Sequence, residues 1–310
     1  MDFGCEKQLA KLSKELSRQY QNAVFAMRYI LENYQKNFPE YTDHSLLHVL
    51  DVTEQVNSLM ENNVYRLYGK ELYILLMGIL VHDVGMGIPR GAYMEYACLN
   101  KKLPQKLPEE ENYGEVVRKY HHRLSAAFVK SKWQVLDIPD EECAWLIGQV
   151  ALGHRGEEIY CKDAYPGIYI TREREKVALR YLAALVRLAD EMDISKERIP
   201  KLLYQNKEIK GTVSQMEFAK HKGIDSVNYK DGMITVTFQP WCERDERLMK
   251  SLEELIHKLT KTAMECVSIT QDNSPYKIIV KEVRGVRAYE EKSQKDDRKK
   301  ESEGKFQQGE

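Results

Sequence analysis

The amino-acid sequence predicts a mainly α fold: a helical domain over residues 1–204, a small α+β module over 205–287, and a charged, disordered tail over 288–310. Three observations predict it. From residue 6 to about 204 the apolar residues recur at helical spacing, and the run ELYILLMGILVHD at 71–83 is apolar almost all round, as a helix in the middle of a bundle is. After Pro200 the period changes, with Ile234, Val236 and Phe238 alternating with Thr235 and Thr237 behind the hairpin turn signal Asp231-Gly232. From residue 291 onward almost no apolar side chain occurs, so no core can form there.

The elements follow in order. A first helix is expected from about Glu6 to Asn33. Thr42 or Asp43 can cap the next, which carries His48, Val52, Val56 and Leu59. The apolar helix over 71–83 runs into VGMG, where Gly85 and Gly87 can stop it. Pro89, Gly91, Pro104 and Pro108 break the pattern over 88–112, which reads as a loop or lid with short helix around 91–100. Helices resume at about 113–131, 140–152 and 173–194. In the module, 208–218 reads as a strand, 225–230 and 233–239 as a hairpin, the stripe through Leu248, Leu252, Leu255, Ile256, Leu259 and Ala263 as a helix, and 276–283 as a further strand.

Composition narrows the classes of function. The chain has 47 basic and 48 acidic side chains and a net charge of −1, which gives no footprint for bulk nucleic-acid binding but permits a local basic pocket. No apolar run reaches the ~18 residues of a membrane span, so no membrane partner is expected. The N-terminus is polar and unlike a signal peptide, and Cys5, Cys98, Cys143, Cys161, Cys242 and Cys266 are scattered as reduced thiols would be. A cytoplasmic location is therefore expected.

Four segments place a histidine or aspartate where an apolar helix should bury its side chain: HSLLHVLDV (44–52), ILVHDVG (79–85), YHHRLSAAF (120–128) and LVRLADEMD (185–193). A fifth, ALGHRGEE (151–158), puts His154 just past an apolar helix. His82 and Asp83 close the most hydrophobic helix, and burying an unpaired carboxylate there would cost several kcal/mol. A divalent metal meets that need, and mixed imidazole and carboxylate ligands suit Mn, Fe, Co, Ni or Zn, with Mg also compatible. Asp190 lies on one face of its helix with Ala183, Val186 and Asp193. His44 and His48 share a face at a spacing of four, so either can be the first ligand. The steps from His48 to 82, 122, 154 and 190 are each about one antiparallel helix plus a connection, so the ligands can converge at matching helix ends.

Taken together these motifs resemble the HD superfamily of metal-dependent phosphohydrolases, over roughly residues 40–195. The resemblance rests on HVLDV (48–52), VHDVG (81–85) and RLADEMD (187–193). It implies an HD-type helical bundle in which His48, His82, Asp83 and Asp190 hold a metal, His48 being preferred to His44 for the valine at its fourth following position. HHRLS (121–125) is similar to the extra histidine motif of some members and matches His122 better than His121, given the serine three residues on. His154 is similar to the further histidine of binuclear members, so His122 and His154 are expected to hold a second ion or to face the phosphate. Two departures stand out: Arg155 occupies the place of a second histidine, and the GYP elaboration of cyclic-dinucleotide phosphodiesterases is absent.

The resemblance implies hydrolysis of a phosphoester or phosphoanhydride by metal-activated water, with a small-molecule phosphate, most simply a nucleotide, as substrate. Asp83 would orient or deprotonate the water, His122 would serve the phosphate or leaving group, and Arg123, Arg155 and Arg187 are candidate phosphate clamps. Tyr93, Tyr96, Tyr120, Tyr160 and Tyr165 are candidates for stacking on a base. Two other readings share the motifs: a single-stranded nucleic-acid nuclease and a non-catalytic, metal-stabilised regulatory module. The α+β module and the tail offer surfaces for partner contacts or for a homo-oligomer.

Overall fold

A computed structural model describes residues 4–60, 66–199, 212–271 and 274–288. The expected domain boundary at 204 and the tail beyond 288 lie outside these residues.

The expected first helix is two. Helix α1 (Cys5–Leu12) stops at Ser13, whose extended backbone starts α2 (Lys14–Glu32) and whose hydroxyl accepts from the Leu16 amide at 3.2 Å. A short turn of helix, α3 (Tyr34–Asn37), leads into the loop before α4 (Leu46–Met60). Neither residue expected to cap α4 does so: Ser45 is the cap, its hydroxyl accepting from the Leu47 amide at 3.2 Å, while Asp43 holds Ser45 by accepting from its amide at 2.8 Å and its hydroxyl at 2.9 Å. Helix α5 (Gly69–Val81) is buried on every side, as its sequence requires. Even Glu71 is buried, and it is satisfied: it accepts from the Tyr68 amide at 3.1 Å and from the Ala178 amide at 2.8 Å.

Residues 88–112 carry the expected short helix, α6 (Tyr93–Ala97), in a loop fastened by its own side chains. The Tyr93 hydroxyl donates to the Pro104 carbonyl at 3.1 Å, and the Gln105 amide donates to the carbonyls of Ala97, Asn100 and Leu103. Helices α7 (Tyr113–Lys132), α8 (Glu141–Gly153) and α9 (Leu179–Met192) follow. The third starts later than its sequence pattern suggests. Residues 172–176 have no apolar stripe to bury, and they turn instead through Arg174, at φ 66°, so that β1 (Tyr169–Ile170) pairs antiparallel with β2 (Lys176–Val177). Helices α4, α5, α8 and α9 pack around one another, and α7 lies on α8.

The expected strand over 208–218 is corrected to a helix, α10 (Thr212–Gly223); residues 208–211 lie outside the described residues. Phe218 and His221, three apart, are buried on one face of it, which a period of two would have split. The hairpin forms as expected: β3 (Ile224–Lys230) pairs antiparallel with β4 (Met233–Phe238), and Asp231 and Gly232 both take positive φ, 53° and 83°, in the turn. The long helix α11 (Glu246–Gln271) then crosses over so that β5 (Glu282–Arg287) joins β4 in parallel. The strand expected at 276–283 thus begins six residues late, at Glu282, although Ile278 and Val280 are buried. The module lies on the helical core, with β3 against α4 and α11 against α9. Polar contacts cross there too, between Lys258 and Glu191 at 2.7 Å and from the Tyr160 hydroxyl to Glu265 at 2.8 Å. No single described helix is long and apolar enough to cross a membrane.

Candidate metal centre

Five helices deliver ionisable side chains to one buried point. His82 caps the C-terminus of α5 and Asp83 follows it; His48 comes from the first turns of α4, Asp190 from the last turn of α9, His121 from the middle of α7, and His154 from the end of α8. His48, His82, Asp83 and Asp190 form one group of converging ligand atoms, and Asp83, His121 and His154 form a second. Asp83 belongs to both through different oxygens. Its Oδ2 lies 3.5 Å from His48 Nε2 and 3.4 Å from His82 Nε2, while its Oδ1 lies 3.3 Å from His121 Nε2 and 3.6 Å from His154 Nε2. Asp190 Oδ1 completes the first group, 3.3 Å from His48 Nε2 and 3.7 Å from His82 Nε2.

Gly85 makes this approach feasible. A Cβ there would stand 2.2 Å from the carbonyl oxygen of His121, so any side chain would drive α7 off the turn that carries Asp83. Ser125 clamps the same contact, donating its hydroxyl to the His82 carbonyl at 2.7 Å and accepting from the Gly85 amide at 2.9 Å.

The tautomers of three histidines are set by the backbone and that of the fourth by a carboxylate. His82, His121 and His154 each direct Nδ1–H at the carbonyl three residues earlier, Ile79 at 2.7 Å, Arg118 at 2.8 Å and Ala151 at 2.5 Å. His48 Nδ1–H donates to Asp193 Oδ2 at 2.6 Å, and Arg198 Nη1 donates to that same oxygen at 2.9 Å. All four Nε2 atoms are therefore left to point at Asp83.

The two groups differ in charge. Burial pulls His48 and His82 down, but the surrounding carboxylates outweigh it: His48 reaches about 9 and His82 stands well above the ordinary imidazole value. Burial lowers His121, and it lowers His154 much further, helped there by the charges of His82 and His121. Burial would raise Asp83 and Asp190, yet the neighbouring imidazoles hold both well below the usual carboxylate range.

These residues fit a metal. His121 and His154 are neutral imidazoles whose Nε2 atoms face each other at 3.1 Å, lone pair to lone pair, with a carboxylate oxygen beside them. His48 and His82 Nε2 are also 3.1 Å apart. Ligands at ~2.1 Å from one ion are separated by about 3.0–3.4 Å, so each pair has the spacing of two ligands on a shared cation.

The geometry brings some of the expected site residues together and sets others apart. His121, not His122, joins His154 and Asp83, because His121 and Ser125 are four apart and share the inward face of α7. His122 sits beside them, its ring 5.7 Å from that of His121, on the wall of an open pocket with Tyr41, Glu115, Arg118, Lys119 and Arg155. Arg187 does not face the site: its guanidinium donates to the carbonyls of Gly153 and Gly156 and contacts the Tyr160 hydroxyl, fastening the end of α8. Arg123 is half-buried on α7. Arg155 is exposed on the pocket. His44 donates Nδ1–H to the Thr42 carbonyl at 2.7 Å and accepts from Arg198 at 3.4 Å, so its second nitrogen is engaged and His48 takes the place beside Asp190. Tyr93, Tyr96 and Tyr165 are buried in the core, Tyr120 is half-buried, and the exposed Tyr160 packs over Arg187.

Sequence reasoning missed Asp193 and Arg198 as supports of His48. Asp193 had a signal, three residues after Asp190 on the same helix face; Arg198 had none, being one basic residue in a short turn. Tyr41 was also missed; its only mark was its place just ahead of the first histidine motif.

Comparison with curated proteins finds no match. The family model HD-CE, an HD-type domain, matches residues 38–261, which runs across the expected boundary at 204 and takes in all the ligand residues. Covering well over half of the sequence, that match shows that the chain belongs to the HD-CE family.

Proposed function

We propose that this protein is a metal-dependent hydrolase of phosphoester or phosphoanhydride bonds that acts on a nucleotide. The observation that carries the reading is Asp83, whose two oxygens face two separate pairs of imidazole nitrogens. A divalent cation bound there supplies Lewis acidity, polarising a phosphoryl oxygen and making water nucleophilic near neutral pH. The protein's own residues do the rest. His48, His82, Asp83 and Asp190 hold the first ion; Asp83, His121 and His154 hold a second. Asp190, 26% exposed where His48 and His82 are 0% exposed, marks the side from which water and substrate enter. Asp83, at the centre of the site, orients the water. His122, on the pocket wall, donates to the phosphate or to the leaving oxygen.

A single-stranded nuclease would use the same centre, but a net charge of −1 gives no overall positive excess to attract a long polyanion, so the nucleotide is preferred. A regulatory module would not need every ligand to remain in place. The test combines elemental analysis of the purified protein with phosphate release from a panel of nucleotides. The expected result is bound transition metal and turnover, both lost in Asp83→Ala. Full turnover in that variant, or a purified protein that neither carries nor takes up metal, would overturn the proposal.

A further inference from the structure

The pocket beside the metal centre has features that holding one phosphoryl group does not require. It is an open cavity of about 580 Å³, within the usual range for small-molecule sites. Helix α7 lines it with Glu115, Arg118, Lys119 and His122, at spacings that put them on one face, and Arg155 comes from just beyond α8. Three permanent cations therefore share a wall with one carboxylate. Arg118 lies over the Tyr41 ring at 5.5 Å and Lys119 over the Tyr120 ring at 5.2 Å, and among the described residues neither forms an ion pair. The pocket is contiguous with the metal centre: the His122 ring is 5.7 Å from that of His121 and 6.4 Å from that of His154, and the Tyr41 ring is 6.4 Å from that of His44.

We infer that Arg118, Lys119 and Arg155 form a subsite for a second, non-reacting phosphate, so that the ligand carries two or more linked phosphates, as a nucleoside diphosphate or triphosphate does. This deepens the phosphohydrolase reading and rests on it. Gathering three cations around one carboxylate leaves mutual repulsion that an anion relieves. The phosphoryl group at the metal centre is neutralised by the ions there. The surplus positive charge on the wall matches a neighbouring phosphate, which a simple monoester lacks. Guanidinium groups also suit it in shape, since each can donate two parallel hydrogen bonds to a phosphate.

The test is calorimetric titration of the full chain, metal-free and manganese-loaded, with inorganic triphosphate and orthophosphate. Triphosphate is expected to bind at least about tenfold more tightly than orthophosphate, as several charge-assisted bonds should give. Arg118→Ala combined with Arg155→Ala should remove most of that preference while manganese content stays at the wild-type level. Both residues are exposed, so the fold should survive, and Lys119→Ala gives an independent second variant. Unchanged triphosphate affinity in these variants, with manganese retained, would overturn the subsite and leave the metal-hydrolase reading intact. If the wild-type protein neither carries nor takes up manganese or any other divalent metal, yet the preference persists and depends on Arg118 and Arg155, the subsite stands and the metal-hydrolase reading falls. A short single-stranded DNA that binds more tightly than triphosphate through the same arginines would overturn the proposal in favour of a nucleic-acid ligand.

Discussion

The two halves of the metal centre are built from the same side chains on different supports. On one side, His48 and His82 share Asp83 with a second carboxylate, Asp190, and His48 is braced by Asp193 and Arg198. On the other, His121 and His154 share only the remaining oxygen of Asp83, and their tautomers are fixed by helix carbonyls alone. The first half is rich in negative charge and attracts protons as well as metal. The second is close to neutral and adjoins the cationic pocket. The contrast teaches that one kind of ligand can be held in two charge states: the first half is braced by carboxylates and keeps protons when empty, whereas burial holds the second half neutral.

The most drastic way to break the contrast is to remove what the halves share. Asp83→Ala should empty both, and phosphate release should fall by about 10³-fold or more, the upper end of what loss of one preorganised group costs. Substantial residual turnover would mean that Asp83 is not the hinge of the centre. A sharper cut is His121→Ala, which should lower bound metal from two ions to one by elemental analysis, whereas His122→Ala should leave the count unchanged. The reverse outcome would return the second-ligand role to His122. Next in size, Asp193→Asn or Arg198→Met should weaken metal affinity by about 10–100-fold, as loss of a ligand's supporting partner does, and at the first half only. Competition with a metal-binding dye reads this directly, and equal losses at both halves would contradict it.

The smallest expected effect is one of pH on the metal-free protein. His48 is raised to about 9 and His82 also lies above its ordinary value, so their protonation stabilises the fold fully below the unfolded imidazole pKa of ~6.5. That contribution is lost as pH rises toward 9. His121 and His154 are depressed, so the stability of their neutral forms is present above ~6.5 and lost as pH falls below it. Metal-free Tm should therefore be highest near neutrality and drop by a few degrees on either side. Metal-loaded protein should show little alkaline drop, because a cation replaces the protons on the first pair. A metal-free Tm that climbs steadily from neutral pH to 9 would reverse the assignment of charge to the two halves.

Much of this was legible in the sequence, for identifiable reasons. An apolar helix that ends in His82-Asp83 announces a buried charge in need of a partner, and the recurrence of histidines one helix apart announces where the partners lie. What failed was rotational. His121 and His122 differ by about 100° on one helix, and only the packing of α7 on Gly85 and Ser125 decides which faces Asp83. Arg187, three residues before Asp190, shares its side of the helix by sequence and so looks like a phosphate clamp. The orphan carbonyls at the end of α8 claimed it instead. Strand and helix were confused at 208–218 because a short apolar run supports either period. Arg198 left no trace, since nothing in a sequence says that one arginine will be swallowed by tertiary packing.

A carboxylate claimed from two directions makes the halves thermodynamic neighbours rather than independent sites. Whatever ion settles on one oxygen of Asp83 withdraws electron density from the other and stiffens the side chain. Linkage is reciprocal, so the second equivalent must alter the retention of the first by the same factor that the first alters the capture of the second. A loading curve for this protein should therefore depart from two superimposed hyperbolas, and its shape is itself a measure of how strongly one small side chain couples five helices.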